Sequence, residues 1–446
     1  MHLIYSFSID DAVDIIVLII LLYTSFHCHT EVTPCMKMKD MWMLELFHGP
    51  TFAFKDVALQ FLGNLFEYFL LRGRIQSRIT ILGATSGDTG SAAIHGLRGK
   101  KNVNCFITYP KGKVTEIQER QMTTIPDENV SCINVEGNFD DCQAIVKAAF
   151  ADASFREEVN LGAINSINWA RVLAQITYYF YSWLRVTDKG DRKAAVNFAV
   201  PTGNFGDILA GYFAKRMGLP VDKLVVCTNQ NDVLHRFLQD GKMTRLAAQM
   251  TIAPSMDISV SSNFERYLFY LCGENAETLA SWMSSFESTG KMEVPKRLLT
   301  LARSEFLSYA SDEKLIVKTM TEMWNDEGYL ICPHTATAVA GIKALQLPGN
   351  TTICLATAHP AKFEEAVNIA LKKSSIPPRP KELEVLFSLP IRTYALPNSL
   401  SRVQGFVRKK LGSGGWMSSM VPVLIAVVAV AAIGFFAVSS NPKKFR

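Results

Sequence analysis

The chain has 446 residues, a net charge of +5 and nine cysteines. This is too long for one ordinary domain and predicts two or three, terminal additions included. The charge is small and basic residues do not interleave with aromatics before the extreme C-terminus, which argues against nucleic acid as a partner. The scattered cysteines, with no C-x-x-C, fit free thiols in a reducing compartment rather than a disulfide framework.

Residues 1–40 read as an atypical hydrophobic leader. The run 15–23 is apolar, but Asp10, Asp11 and Asp14 stand where a signal peptide carries positive charge, and the run is short for a membrane span. His27, Cys28, His29 and Cys35 match no zinc spacing, and no metal is expected there. Next, H-G-P-T-F-A-F-K-D at 48–56 puts Lys55 among aromatic and small residues just ahead of a helix. A desolvated lysine there is a candidate covalent cofactor anchor, although a Lys-Asp pair after aromatics is more often an ordinary helix start.

The middle of the chain alternates strands with helices. Residues 78–83 read as a buried strand, followed by T-S-G-D-T-G at 85–90 and a helix over 91–97. The pattern returns as a strand over 194–200, P-T-G-N-F-G-D at 201–207, and a helix over 208–217 closed by Gly218. A strand over 223–228 leads to a helix over 232–239, and one over 351–355 leads through A-T-A-H-P to a helix over 363–371. Such alternation predicts an α/β protein with parallel sheets flanked by helices on both faces.

The C-terminus is different in character. After a Gly/Ser linker at 412–419, residues 420–438 carry no charged side chain and are flanked by Arg408, Lys409 and Lys410 before and Lys443, Lys444 and Arg446 after. This is close to the roughly 20 residues that cross a bilayer. The expectation is a transmembrane span followed by a basic tail at 439–446, anchoring a cytosolic catalytic domain in an organelle membrane.

Each glycine-rich turn has a physical use. Between a strand end and a helix start the first N–H groups are unpaired and the helix dipole favours negative charge, so a phosphate can bind there if glycines let the backbone approach. Gly203 and Gly206 would permit that approach. Taken alone, such a turn is more often simply tight. Neither turn fits the Walker or the G-x-G-x-x-G pattern, which removes the common nucleotide readings.

Five motifs in order carry a resemblance: L-F-H-G-P-T-F-A-F-K-D, G-A-T-S-G-D-T-G-S-A-A-I, N-S-I-N-W-A-R, V-P-T-G-N-F-G-D-I-L-A-G-Y-F-A-K-R-M-G-L-P and T-A-H-P-A-K-F. From about 41 to 411 the chain resembles threonine synthases, especially the fungal branch. The resemblance implies a two-domain, fold-type II (tryptophan synthase beta-like) enzyme that uses pyridoxal 5'-phosphate and converts O-phospho-L-homoserine and water to L-threonine and phosphate. By that likeness Lys55 is the covalent anchor and base, Gly203, Asn204, Phe205, Gly206 and Asp207 hold the cofactor phosphate, and Thr357 faces the pyridine nitrogen. Thr85, Ser86, Gly87, Asp88 and Thr89 line the substrate side. A hydroxyl at the pyridine nitrogen does not hold it protonated, which moderates the electron sink and suits elimination and replacement over transamination.

The substrate phosphate needs cationic donors. Lys111, Arg171 and Lys362 lie in matching motifs and are the candidates, although a surface salt bridge accounts equally well for any one of them. The resemblance also implies an additional N-terminal segment with a tyrosine-serine-threonine-arginine-glycine signature, and 1–39 carries no such motif. Two alternatives stay open at this point: a phospholyase that releases a 2-oxo acid, and an inactive membrane-tethered pseudoenzyme.

Overall fold

A computed structural model describes residues 31–72, 78–187, 194–347, 351–372 and 376–412. The apolar run at 15–23, the His27–Cys28–His29 group and the expected span at 420–438 lie outside the described residues. Within them, no helix is long and apolar enough to cross a membrane.

In chain order the strands are β1 Cys35–Lys37, β2 Trp42–Glu45, β3 Ile79–Ala84, β4 Val103–Pro110, β5 Val130–Val135, β6 Leu161–Gly162, β7 Val196–Pro201, β8 Val221–Thr228, β9 Lys242–Thr244, β10 Lys291–Glu293, β11 Phe306–Ala310, β12 Thr351–Ala356 and β13 Tyr394–Leu396. They build a six-stranded sheet in the order β1-β2-β12-β7-β8-β11, a five-stranded sheet in the order β13-β5-β4-β3-β6, and a two-stranded ribbon of β9 and β10. The five-stranded sheet is parallel throughout. The six-stranded sheet is parallel except at its β1 edge, where β1 and β2 pair antiparallel through a tight turn closed by Met38 N–H to Met41 carbonyl. Apart from the separate antiparallel ribbon of β9 and β10, the expectation of parallel sheets thus holds except at the β1–β2 hairpin, whose short edge strand needs no crossover. It also starts the sheet at Cys35, a few residues ahead of position 41.

The central strands β3, β4, β5, β7, β8 and β12 are buried on both faces, which is why they read as nearly unbroken apolar runs. Successive residues point to opposite sides. In the large sheet Phe198, Leu224 and Ile353 enter one core with Phe213, Tyr267 and Phe306, while Ala199, Val225 and Cys354 enter the other with Ile316, Met320 and Val339. In the small sheet Ile81, Cys105 and Cys132 face one core, and Leu82, Phe106 and Ile133 the other.

The chain crosses between the two sheets and so ties them together. Helix Lys55–Arg72 leaves the large sheet after β2 and packs against helix Asp88–Leu97 of the small one. The approach is backbone to backbone: a Cβ on Gly63 would lie 1.8 Å from the Gly96 carbonyl oxygen, and one on Gly96 would lie 2.4 Å from the Leu59 carbonyl oxygen. Residues 394–411 return to the small sheet, with β13 at its edge and helix Leu400–Leu411 packed through Val403 and Val407. Both glycine-rich turns therefore emerge at carboxyl ends of parallel strands, after β3 and β7, where open α/β sheets place their ligands.

Candidate active site

Lys55 is the first residue of its helix, held by a locally braced turn. Thr51 donates its N–H and hydroxyl to the Asp56 carboxylate at 2.8 and 2.7 Å. Burial pushes the Asp56 pKa up to about 6, with the Thr51 bonds pulling against it. Phe52 adopts φ 57°, in the left-handed region that a bulky side chain seldom enters. The bend lays 52–54 along the exit of β12: His359 N–H donates to the Phe52 carbonyl at 3.0 Å, Phe54 N–H donates to the Thr357 carbonyl at 2.7 Å, and Ala53 bridges Ala358. Lys55 and Thr357 are thereby placed together, 302 positions apart in the chain. Thr357 is buried, and its N–H reaches the Thr335 hydroxyl at 3.3 Å. Burial lowers the Lys55 pKa to about 8; Asp88 works against that, while Lys362 and Arg171 add to it.

The turn after β3 brings Asp88 against this lysine. The Thr85 hydroxyl accepts the N–H groups of Gly87 and Gly90 at 3.0 and 2.8 Å. Gly87 sits at φ 136°, and a Cβ there would lie 2.4 Å from the Gln118 amide, so both conformation and space demand glycine. Gln118 closes the capping box of helix Glu116–Thr123 with Thr115, which leaves its amide nitrogen to donate to Asp88 Oδ1 at 3.0 Å. Lys362 Nζ donates to Asp88 Oδ1 at 2.7 Å and to the Thr51 carbonyl at 2.7 Å. Ser255 Oγ donates to Oδ2 at 3.2 Å, and Lys55 Nζ lies 3.8 Å from that oxygen. Burial alone would raise the Asp88 pKa, but Lys362 and Lys55 overcome it and hold the carboxyl well below the usual range. Ser86 is exposed and Thr89 half-buried; among the described residues the N–H groups of Ser86, Asp88 and Thr89 find no acceptor.

The turn after β7 forms the second half of the site. Among the described residues, none accepts the N–H groups of Gly203, Asn204, Phe205, Gly206 or Asp207, which lead into helix Gly206–Arg216. The loop is fixed from behind: Ser261 Oγ donates to the Gly203 carbonyl at 2.8 Å, and the Asn263 side chain donates to the Asn204 carbonyl at 2.9 Å. Five free N–H groups at a helix start suit a phosphate. The side chains divide differently from the sequence expectation. Phe205, at φ 60°, buries its ring against Phe264 and Phe306, so only its backbone can serve a ligand. Asp207 accepts from the Tyr178 and Tyr179 hydroxyls at 2.6 and 2.9 Å, and burial pushes its pKa up to about 6 despite those bonds. Ser255 links the two turns, since a Cβ on Gly203 would lie 3.2 Å from its carbonyl oxygen.

The three cationic candidates fare differently. Lys362 is fully buried in the site and already paired with Asp88. Arg171 is buried with its Nε unpartnered, and burial lowers its pKa to about 10, a strained position for a cation that an anion would relieve. Lys111 is exposed just beyond β4, on the carboxyl edge of the sheet that also bears Thr85. Sequence reading missed Gln118, Ser255 and His334. The His334 Nε2 accepts from Ser255 N–H at 3.1 Å, and burial lowers its pKa to about 3, so it is a neutral acceptor. The only sequence signal for it is C-P-H-T, a helix start that says nothing of the distant Ser255.

A family model described as pyridoxal-phosphate dependent enzyme matches residues 30–282, and one described as threonine synthase, C-terminal, matches 335–407. The threonine synthase of Schizosaccharomyces pombe is 50% identical over 385 residues, covering 79% of this chain and 74% of the relative. The chain belongs to the threonine synthase family. The crystal structure of the yeast threonine synthase superposes with a TM-score of 0.84 at 46% identity, covering 90% of this chain and 85% of that one. That of the pyridoxal-phosphate-bound threonine synthase from Brucella melitensis does so with a TM-score of 0.85 at 41% identity, covering 90% and 84%. The fold is therefore the fold-type II architecture of pyridoxal-phosphate enzymes. The free N–H row after β7, the buried Lys55 and the Thr357 hydroxyl fit that cofactor's phosphate, aldehyde and ring nitrogen in kind.

Proposed function

We propose that the chain converts O-phospho-L-homoserine and water to L-threonine and inorganic phosphate, with Lys55 as the anchor of pyridoxal 5'-phosphate. The observation that carries this reading is the meeting of a buried lysine with a pKa lowered to about 8 and a row of five unpaired N–H groups at a helix start. When bound, the cofactor supplies an electron sink beside the substrate amine. The chain supplies the rest. The N–H groups of 203–207 hold the cofactor phosphate, and the Thr357 hydroxyl meets the ring nitrogen without protonating it. The N–H groups of Ser86, Asp88 and Thr89 receive the substrate carboxylate at the start of helix Asp88–Leu97. Lys55, a base near neutral pH, would take the proton from the substrate's alpha carbon. Arg171, whose Nε has no partner, is the cation offered to the substrate phosphate dianion, since Lys362 is already committed to Asp88 and the Thr51 carbonyl.

Borohydride reduction of the loaded protein followed by peptide mapping tests the anchor. The cofactor should be trapped on the peptide containing Lys55, and Lys55→Ala should lose the trapped cofactor together with turnover, by about a thousandfold or more. Trapping on another lysine, or near wild-type turnover in Lys55→Ala, would end this reading. We further propose that residues 420–438 tether the catalytic region to an organelle membrane with that region in the cytosol, a reading supported by their uncharged, apolar composition between basic flanks.

A further inference from the structure

We propose that Asp88, clamped by Lys362, is a positioning residue that sets the charge state of the Lys55 amine, and that the Gly63–Gly96 helix crossing fixes the gap across which it acts. This rests on the reading of Lys55 as the cofactor anchor and goes beyond it.

The two lysines share one carboxylate unequally. The Lys362 ammonium is fully buried and has two acceptors at 2.7 Å, Asp88 Oδ1 and the Thr51 carbonyl. Lys55 stands 3.8 Å from Oδ2, an oxygen that already accepts from Ser255 Oγ, and has no acceptor at hydrogen-bond distance among the described residues. Asp88 is thus held ionised mainly by Lys362 and restrains Lys55 only through its charge. Removing Asp88 exposes Lys55 to an uncompensated Lys362, which disfavours the ammonium; removing Lys362 leaves the carboxylate to Lys55 alone, which favours it. The other charged or titratable groups that face Lys55 are Arg171 from helix Trp169–Val186, Asp56 on its own helix and His334 from helix Pro333–Leu345. Asp56 is committed to Thr51, and His334 is neutral as an acceptor from Ser255. The balance therefore falls to Asp88 and Lys362, with Arg171 as a constant cationic background.

The gap has a structural cause. Lys55 and Asp88 each open a helix, and Gly63 and Gly96 each lie eight positions further on, a rise of about 12 Å. At those glycines the two backbones touch with no room for a Cβ. The crossing therefore acts as a common origin from which both helix starts are measured, and it brings the amine and the carboxylate to 3.8 Å.

The test uses cofactor uptake by the apoprotein. The unprotonated Lys55 amine adds to the cofactor's aldehyde carbon, a carbon–nitrogen double bond forms, and the carbonyl oxygen leaves as water; the rate against pH therefore follows the proton on Lys55. Pyridoxal 5'-phosphate is mixed with apoprotein from pH 6 to 10, and attachment is read by borohydride trapping on the Lys55 peptide. The midpoint should move down by about one pH unit or more in Asp88→Asn and up by a similar amount in Lys362→Met. It should return toward wild type in the double variant, which keeps the test available if a single variant fails to fold. Attachment at Lys55 with midpoints unmoved, or moved the same way in both single variants, overturns the positioning role alone. A wild-type apoprotein that attaches no cofactor at Lys55 overturns the anchor reading with it.

Discussion

Asp207 shows how one residue can be part of the site and yet turned away from the ligand. Its N–H belongs to the phosphate cradle, but its carboxylate is spent on Tyr178 and Tyr179, and one oxygen is left without a partner. Because the native pKa is raised from 3.8 to about 6, folding binds the proton more tightly. The associated stability is complete below about pH 4 and is lost as pH rises through about 6, amounting to about 3 kcal/mol. Urea unfolding of the apoprotein should therefore show wild type losing stability relative to Asp207→Asn between pH 4 and 7, and a pH-independent difference would contradict the buried-carboxylate account. Asp56, raised in the same way, is present in both proteins and cancels. At this scale the sequence exposed Lys55, Thr357 and the glycines, because their chemistry is local. It could not show that the Phe205 ring belongs to the core, nor that Lys362 answers Asp88 from 274 positions away, because those facts depend on packing.

Among the elements, the turns after β3 and β7 were legible because a strand buried on both faces leaves an unbroken apolar run and a glycine-rich stop. The Gly63–Gly96 crossing was not, since a lone glycine inside a helix gives no sign of what approaches it. Gly63→Ala and Gly96→Ala should each cost about 1–3 kcal/mol by forcing the helices apart, measured as a lower urea midpoint with an unchanged slope. A wild-type midpoint in both would mean the contact is looser than drawn. Gly203→Val should weaken cofactor binding while leaving the far-ultraviolet spectrum intact, because the added side chain meets the Ser255–Met256 backbone at 3.2 Å rather than the hydrophobic core. Equal affinity in a titration would reduce the loop to a mere turn.

At the scale of the whole molecule, the site exists because the chain passes repeatedly between two sheets. Lys55, Ser255, Lys362 and Thr357 come from segments joined to the large sheet, and Asp88 and Gln118 from the small one, so the Asp88 cluster closes the cleft as well as charging it. Alternation of strands and helices exposed the class of this architecture in the sequence. The pairing of β13 with the small sheet was not exposed, since a three-residue strand carries almost no periodicity. The tether is tested by alkaline carbonate extraction: membranes should retain the full chain and release a version ending at Leu411, and a full chain wholly in the soluble fraction would contradict it.

The central claim is tested most directly by product analysis. Purified protein loaded with pyridoxal 5'-phosphate and given O-phospho-L-homoserine should release phosphate and L-threonine in equal amounts. Phosphate accompanied by 2-oxobutyrate, or no phosphate from protein that carries its cofactor on Lys55, would contradict the account.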